Sequence, residues 1–397
     1  MLLELILALV IGIIVGIVTG LLPGIHINLV GAILISLSPF FLNITSPIIL
    51  VIFIVCLSIT HIFIDFIPSI FLGAPDEESA LSVLPGHELL KIGRGYEAIY
   101  LSVLGCAIAI PLLIIFSIIF IFTLDKIENI IKILIPYLLI LSSIFIISKE
   151  KNKFSGLIVF ILAGFLGIFT LNSQIKEPLL PMLSGLFGIS SLIISIKSKT
   201  NIPNQNYKIE KIEKGNLIKP IFASLIASPL CSFLPGLGSG QAATIGSSFI
   251  RLDSKSFLVL IGITNILLMG LSFTVLYVIE KSRTGSAVFI GEILQELNLT
   301  NLIIILTTII LTSIIAFFIT LKLSKIFCKL VSKINYQKIS MFIIALILLF
   351  VLIFSGIYGI LVLIVSTFIG IYCILSGNKR ILLMGCLIIP VILIYLF

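Results

Sequence analysis

Pro and Gly stand side by side twice inside long apolar runs. LLPGIHINLVGAI occupies 21–33 and FLPGLGSGQAATI occupies 233–245, so Pro23-Gly24 and Pro235-Gly236 lie 212 positions apart. Proline lacks an amide N–H and glycine is flexible, so each pair should break the helix it interrupts. Helices restarting near Asn28 and near Gly240 would aim their N-terminal N–H groups at the space the breaks enclose. Helix N-termini are ready anion sites. Asn28, Ser239 and Gln241, with Gly238 in the second turn, add hydrogen-bonding groups that suit a carboxylate. The helices that end at the breaks leave carbonyls that suit a cation. His26 lies in the first break, where a titrating group can face the cavity. A plain interhelical turn is the bland account; two copies of one device favour the functional one.

Other residues add to this set. His61 and Asp65 sit four apart in SITHIFIDFIPS and share a helix face, with Asp65 toward the membrane end of its segment. A proton or cation relay and a structural pair holding two helices together both fit them. Thr264 and Asn265 lie mid-segment in IGITNILLMG; they can coordinate an ion or substrate, or bond across helices, and packing is favoured. Gly73 and Pro75 lead into Asp76, Glu77 and Glu78, a run best read as a solvated loop face. SRTGSA at 282–287 supplies Arg283, Gly285 and Ser286. Arg283 is the best basic candidate for a substrate carboxylate, set against an ordinary arginine snorkelling to the surface. No catalytic nucleophile motif, metal signature or phosphate loop is visible, so neither an enzyme nor a bound cofactor is expected, and a coupling H+ or Na+ is the only small partner of that kind.

The elements that must position these groups are apolar helices. Of 397 residues, 59% are hydrophobic and 11% charged, and mean hydropathy is +1.33. Soluble domains carry about 25% charged residues. A bilayer accommodates such a chain, because each spanning helix takes about 20 apolar residues. Apolar segments fall near 3–22, 28–42, 47–72, 97–124, 129–147, 155–172 and 178–197. After a polar stretch at 197–219 they resume near 218–234, 240–250, 256–280, 299–323, 339–356, 357–375 and 381–397. The expected fold is an all-α polytopic membrane protein: one membrane domain over 1–397, with halves at 1–196 and 220–397. Six cysteines scattered in apolar stretches, with no CxxC pair, read as buried inert thiols. The N-terminal MLLELILALV reads as a retained first span.

Alternating the segments across the bilayer divides the 25 Lys and Arg into 20 on the side of the 197–219 linker and 5 on the other. Basic residues collect in cytoplasmic loops, so the linker is expected to be cytoplasmic and both termini outside a cell membrane. The net charge of +8 is explained the same way, and nucleic acid is not an expected partner. The 212-residue offset also pairs Gly73 with Gly285, a second landmark for duplication. Seven segments precede the linker, and seven is odd, so the second copy enters from the opposite face. The expectation is two inverted-topology repeats, each with a Pro-Gly-interrupted helical hairpin, as in many secondary transporters.

These motifs resemble the large membrane subunit of the tripartite tricarboxylate transporters, the TctA family. The Pro-Gly-rich hairpins at 21–33 and 233–245 match the family's, as does GAPDEESALSVLPGHELLKIGRGYEAI at 73–99 through Gly73, Pro75, Gly86, Lys91, Gly93 and Ala98. SRTGSA is similar to the family's S-R-S-G-A element. Pro85-Gly86-His87-Glu88 stands where the family has D-G-Y-P. The resemblance implies a cation-coupled symporter of di- or tricarboxylates, working with a small membrane subunit and an extracytoplasmic binding protein. An intramembrane enzyme or scaffold acting on a lipid-like molecule is the competing reading, disfavoured because it needs no paired helix breaks. A channel is disfavoured because no filter repeat is visible.

Overall fold

The computed structural model describes residues 2–22, 40–73, 80–197, 203–232, 238–282, 284–331 and 336–396, with Leu34 and Ser38. These residues form helices and connections and no strand. The first half comprises α1 (Leu2–Leu21), α2 (Pro47–Leu72), α3 (Val83–Lys91), α4 (Gly95–Ser148) and α5 (Lys153–Leu171). It closes with α6 (Leu179–Leu183), a π-helical stretch (Ser184–Ile189) and α7 (Ser190–Lys197). After the linker come α8 (Lys214–Ser232), α9 (Ser239–Phe249), α10 (Ser254–Ile279), α11 (Gly285–Leu294), α12 (Leu299–Val331), α13 (Tyr336–Leu375) and α14 (Gly385–Leu396). Seven of the described helical stretches are long and apolar enough to cross a bilayer. The chain is a multi-pass membrane protein.

Two helices form the centre. The most apolar window of α10 is 100% buried within the protein and that of α2 is 83% buried, against 28% to 44% for the other five. Enclosure of this kind requires neighbours on every side. α2 packs chiefly on α1 and α12, and α10 chiefly on α4 and α8. Lipid-like surroundings supply no hydrophobic drive between helices, so close backbone approach is needed. Glycine provides it: a Cβ on Gly105 of α4 would stand 2.1 Å from the Val259 carbonyl oxygen, and one on Gly262 of α10 would stand 1.9 Å from that of Ser102. The outer helices turn large side chains such as Phe122, Phe169, Phe318 and Phe368 outward, as a lipid-facing surface requires.

Contacts give the running directions. Ser102 and Ser117 of α4 meet Gly262 and Thr274 of α10 in that order, so these helices are parallel. Cys56 and Phe71 of α2 meet Thr312 and Phe327 of α12, again parallel. The Lys325 ammonium lies 5.6 Å from the Tyr96 ring, which joins the end of α12 to the start of α4. Arg94 and Lys255 both pair with Glu97 and with Glu210 of the linker, so the starts of α4 and α10 share the linker's side. There α2 ends and α10 begins: the two central helices cross in opposite senses.

The expected segments are mostly recovered, with three differences. α4 holds two of them, 97–124 and 129–147. At about 1.5 Å per residue a straight α4 would run about 81 Å, yet Glu97 pairs with Lys255 while Lys149 shares a cavity with Ser254. Its path therefore doubles back between the apolar stretches Gly95–Ile127 and Pro136–Ser148. In α13 the reversal is explicit at Gly356, with φ 68° and ψ −164°. The short helices α3 and α11 fall outside the expected apolar segments. Finally, α2 and α10 both have 26 residues, begin 207 positions apart at Pro47 and Ser254, and end in left-handed caps at Gly73 and Glu280, also 207 apart. Gly73 thus caps the end of a helix while Gly285 starts one.

Candidate functional site

α8 and α9 form a hairpin that starts and finishes on the linker's side. Asn216 near the start of α8 bonds Ser256 at the start of α10, while α9 runs directly into Arg251 and Asp253. The eleven residues of α9 rise about 16 Å, so its N-terminus lies deep in the protein. Ser239 and Gln241 there are each 2% exposed. The Gln241 Oε1 accepts a hydrogen bond of 2.9 Å from the Gly238 N–H. That N–H is a donor, so the amide oxygen faces it and the NH2 group points elsewhere. Nε2 of Gln241 is buried and has no hydrogen-bond partner among the described residues. An unmade bond of this kind costs about 1–3 kcal/mol. Leu81, entering α3, and Met384, before α14, close over the turn: a Cβ on Gly240 would lie 2.8 Å from the Met384 methyl and 3.4 Å from Leu81 Cδ1.

The N-terminus of α11 is also interior. Thr284 caps it, accepting from the Ala287 N–H at 3.3 Å, and its hydroxyl lies 2.9 Å from that of Ser272 on α10. Ser286 is 1% exposed and meets Ser58 of α2 at 2.6 Å. Gly285 opens this helix. Residues of both halves therefore meet at this turn. Gly73 instead makes room for His87: its Cβ would fall 2.8 Å from the imidazole Cε1. Burial, with Arg380 and Lys91 nearby, pushes His87 down to about 3, so the ring is neutral.

His61 and Asp65 lie inside the protein, 3% and 6% exposed. The Thr19 hydroxyl donates to the Gly16 carbonyl, which uses its one proton. His61 Nδ1 lies 3.0 Å from the Thr19 hydroxyl oxygen and donates to it. Asp65 Oδ1 accepts from Ser69 at 3.3 Å. Thr264 donates to the Ile261 carbonyl of its own helix at 3.0 Å, and Asn265 is 2% exposed beside it, an arrangement compatible with packing. Pro23, Gly24, His26, Asn28, Pro75, Pro235, Gly236 and Arg283 lie outside the described residues, and with them the expected meeting of the two Pro-Gly turns. No cluster of three metal-ligating side chains occurs among the described residues, and all six cysteines are free and buried. Ser58, Thr284, Leu81, Met384 and Arg380 were not singled out from the sequence. Arg380 in GNKRILLMG carried a faint signal, a basic pair just after Gly377, and was counted only among the linker-side charges.

Seven described helical stretches long and apolar enough to cross a bilayer, packed around two enclosed helices, define a polytopic helical membrane protein. The chain belongs to the tripartite tricarboxylate transporter TctA family, which matches residues 6–385. An uncharacterized protein of Methanocaldococcus jannaschii is 35% identical over 387 residues, which is 94% of each chain. No solved structure matches the chain.

Proposed function

We propose that this protein is a secondary active transporter of small organic anions, di- or tricarboxylates, driven by H+ or Na+. The carrying observation is the deep N-terminus of α9, where Gln241 keeps a buried donor unpaired among the described residues. The helix terminus and that amide together offer a carboxylate what water would otherwise supply. The α11 turn, with Ser58, Ser286 and Thr284, supports a second set of hydroxyl contacts from both halves. His61 and Asp65 are the candidates for the coupling cation, being the titratable pair on the enclosed helix α2.

The proposal includes two inverted-topology halves. Support comes from reciprocal packing: α2 of the first half lies on α12 of the second, and α10 of the second on α4 of the first. Opposed directions of α2 and α10 support it too. With the positive-inside rule, the linker is cytoplasmic and both termini are outside. Family membership supports assembly with a small membrane subunit and an extracytoplasmic binding protein. The test is uptake into proteoliposomes of labelled citrate and succinate under imposed H+ or Na+ gradients, with the partner subunits added. Gradient-dependent accumulation is expected. Its absence for every carboxylate, with partners present, would sink the transport reading.

A further inference from the structure

A cavity of about 690 Å³ opens on the linker's side between α3, α9, the start of α10, the end of α4 and residues 379–381. Four of its lining side chains are cationic, Lys149, Arg251, Lys379 and Arg380, and two are carboxylates, Glu88 and Asp253. Both carboxylates are engaged. Glu88 Oε2 accepts from the Ser254 hydroxyl at 2.7 Å, and Asp253 Oδ1 accepts from the Ser256 N–H at 2.9 Å as the cap of α10. Among the described residues Lys379 Nζ reaches the Lys149 carbonyl, at 3.5 Å, while its backbone N–H donates to Glu150 Oε2 at 3.3 Å. Arg380 donates Nη2–H to the Phe187 carbonyl and stacks 5.3 Å from that ring. Among the described residues none of the four cations has a carboxylate within ion-pair distance.

Arg380 is the decisive member. It is 9% exposed, and its Nε is buried without a hydrogen-bond partner. A buried charge is costly unless paired and hydrogen-bonded. A concave surface with surplus charge of one sign concentrates the opposite ion. The guanidinium fork suits planar oxyanions.

We propose that this cavity is a vestibule that binds small multivalent oxyanions, with Arg380 pairing with one anionic group and Lys149, Arg251 and Lys379 with the rest. Naming the ligands as di- and tricarboxylates rests on the transport reading; the binding itself does not. Leu81 lines the vestibule and also covers Gly240 at the α9 N-terminus, together with the flexible Met384. These two side chains separate the vestibule from Gln241.

The full chain in nanodiscs of zwitterionic lipid would be titrated calorimetrically with citrate, succinate and inorganic phosphate. Wild type, Arg251→Gln, Lys379→Gln, Arg380→Lys and Gly215→Ala would be compared. Arg251 and Lys379 are exposed, so their variants should fold even if the Arg380 change does not. Saturable citrate binding is expected, weakened about tenfold or more by Arg251→Gln and Arg380→Lys, as loss of a charge-assisted bond implies. Gly215→Ala, whose added Cβ meets nothing within 4 Å, should leave it in place. Comparable phosphate binding would identify general oxyanion recognition and support the proposal. Absence of saturable binding in wild type, or equal affinity in all the charge variants, would overturn it. So would occupancy by an anionic lipid headgroup alone, with neither citrate nor phosphate binding. Failure of uptake with vestibule binding intact would count against transport and leave this site standing.

Discussion

At the scale of single residues the informative feature is an amide with half its bonding done. Gln241 spends Oε1 on Gly238 and keeps Nε2 for something absent among the described residues. Leu has similar bulk and no donor. Gln241→Leu should therefore cut carboxylate uptake about tenfold or more, the worth of one hydrogen bond to a charged group. Folding should be preserved or improved, because the change removes an unpaired buried donor. Gln241→Glu should be worse for uptake, since it sets a negative charge against the anion. Normal uptake in Gln241→Leu proteoliposomes would remove this residue from the site. Its candidacy was legible from FLPGLGSGQAAT. Its orphaned nitrogen was not, because satisfaction of a donor depends on which atoms of other segments arrive beside it.

At the scale of elements, α1 is held to α2 by glycine. Gly12, Gly16 and Gly20 recur every fourth residue, and a Cβ on each would meet α2 within 2.8 Å, at Cys56 and Phe53, at Leu57 and Thr60, and at Ile64. The order of contacts makes α1 parallel to α2. Thr19 on the same helix reaches His61, so the seam also sets the imidazole. Gly16→Leu should overpack the seam, at a cost of about 1–3 kcal/mol, and lower the thermal unfolding midpoint in detergent. Gly215→Ala is the matched control, because nothing lies within 4 Å of its added Cβ. Equal midpoints for the two variants would contradict the seam.

At the scale of the molecule, a four-charge clamp joins the first half, the linker and the second half. Arg94 makes a two-pronged contact of 2.6–2.7 Å with Glu97, Lys255 lies 3.2 Å from the same carboxylate, and both cations reach Glu210. The Glu97 side chain is 0% exposed and that of Glu210 is 54% exposed. Glu97→Gln strips one partner from a buried network and should cost about 3 kcal/mol, read as a lowered unfolding midpoint. Glu210→Gln should change stability little but speed proteolysis within the 203–213 segment of the linker. Protection unchanged in Glu210→Gln would show that the clamp does not hold the linker. Hydrogen bonds from Lys255 and Arg94 hold the Glu210 carboxyl below its ordinary value of 4.5. A depressed carboxylate stabilises the folded state above its unfolded pKa and loses that contribution as pH falls through the folded one. The linker should therefore stay protected at pH 5 and loosen only below about 4.5. Loosening near pH 6 would point to a different titrating group. For sidedness, Asn206→Cys should react with an impermeant maleimide only from the cytoplasm.

The sequence alone determined the environment and the grammar of the chain. Runs of Ile, Leu and Phe with few charges place the chain in lipid, whatever the tertiary fold. The linker, the sorting of basic residues and the family resemblance follow from local composition and order. Tertiary structure decided which helix is central, because burial of a uniformly apolar helix carries no periodic mark that separates α2 or α10 from a lipid-facing neighbour. It placed Gly73 at the end of a helix and Gly285 at the start of one, since the side of a helix boundary on which a glycine falls depends on the neighbours packed there. It also raised Arg380 above an ordinary loop arginine. What makes that side chain unusual is that no carboxylate among the described residues lies within ion-pair distance of it, a property of three-dimensional neighbours that no stretch of sequence contains.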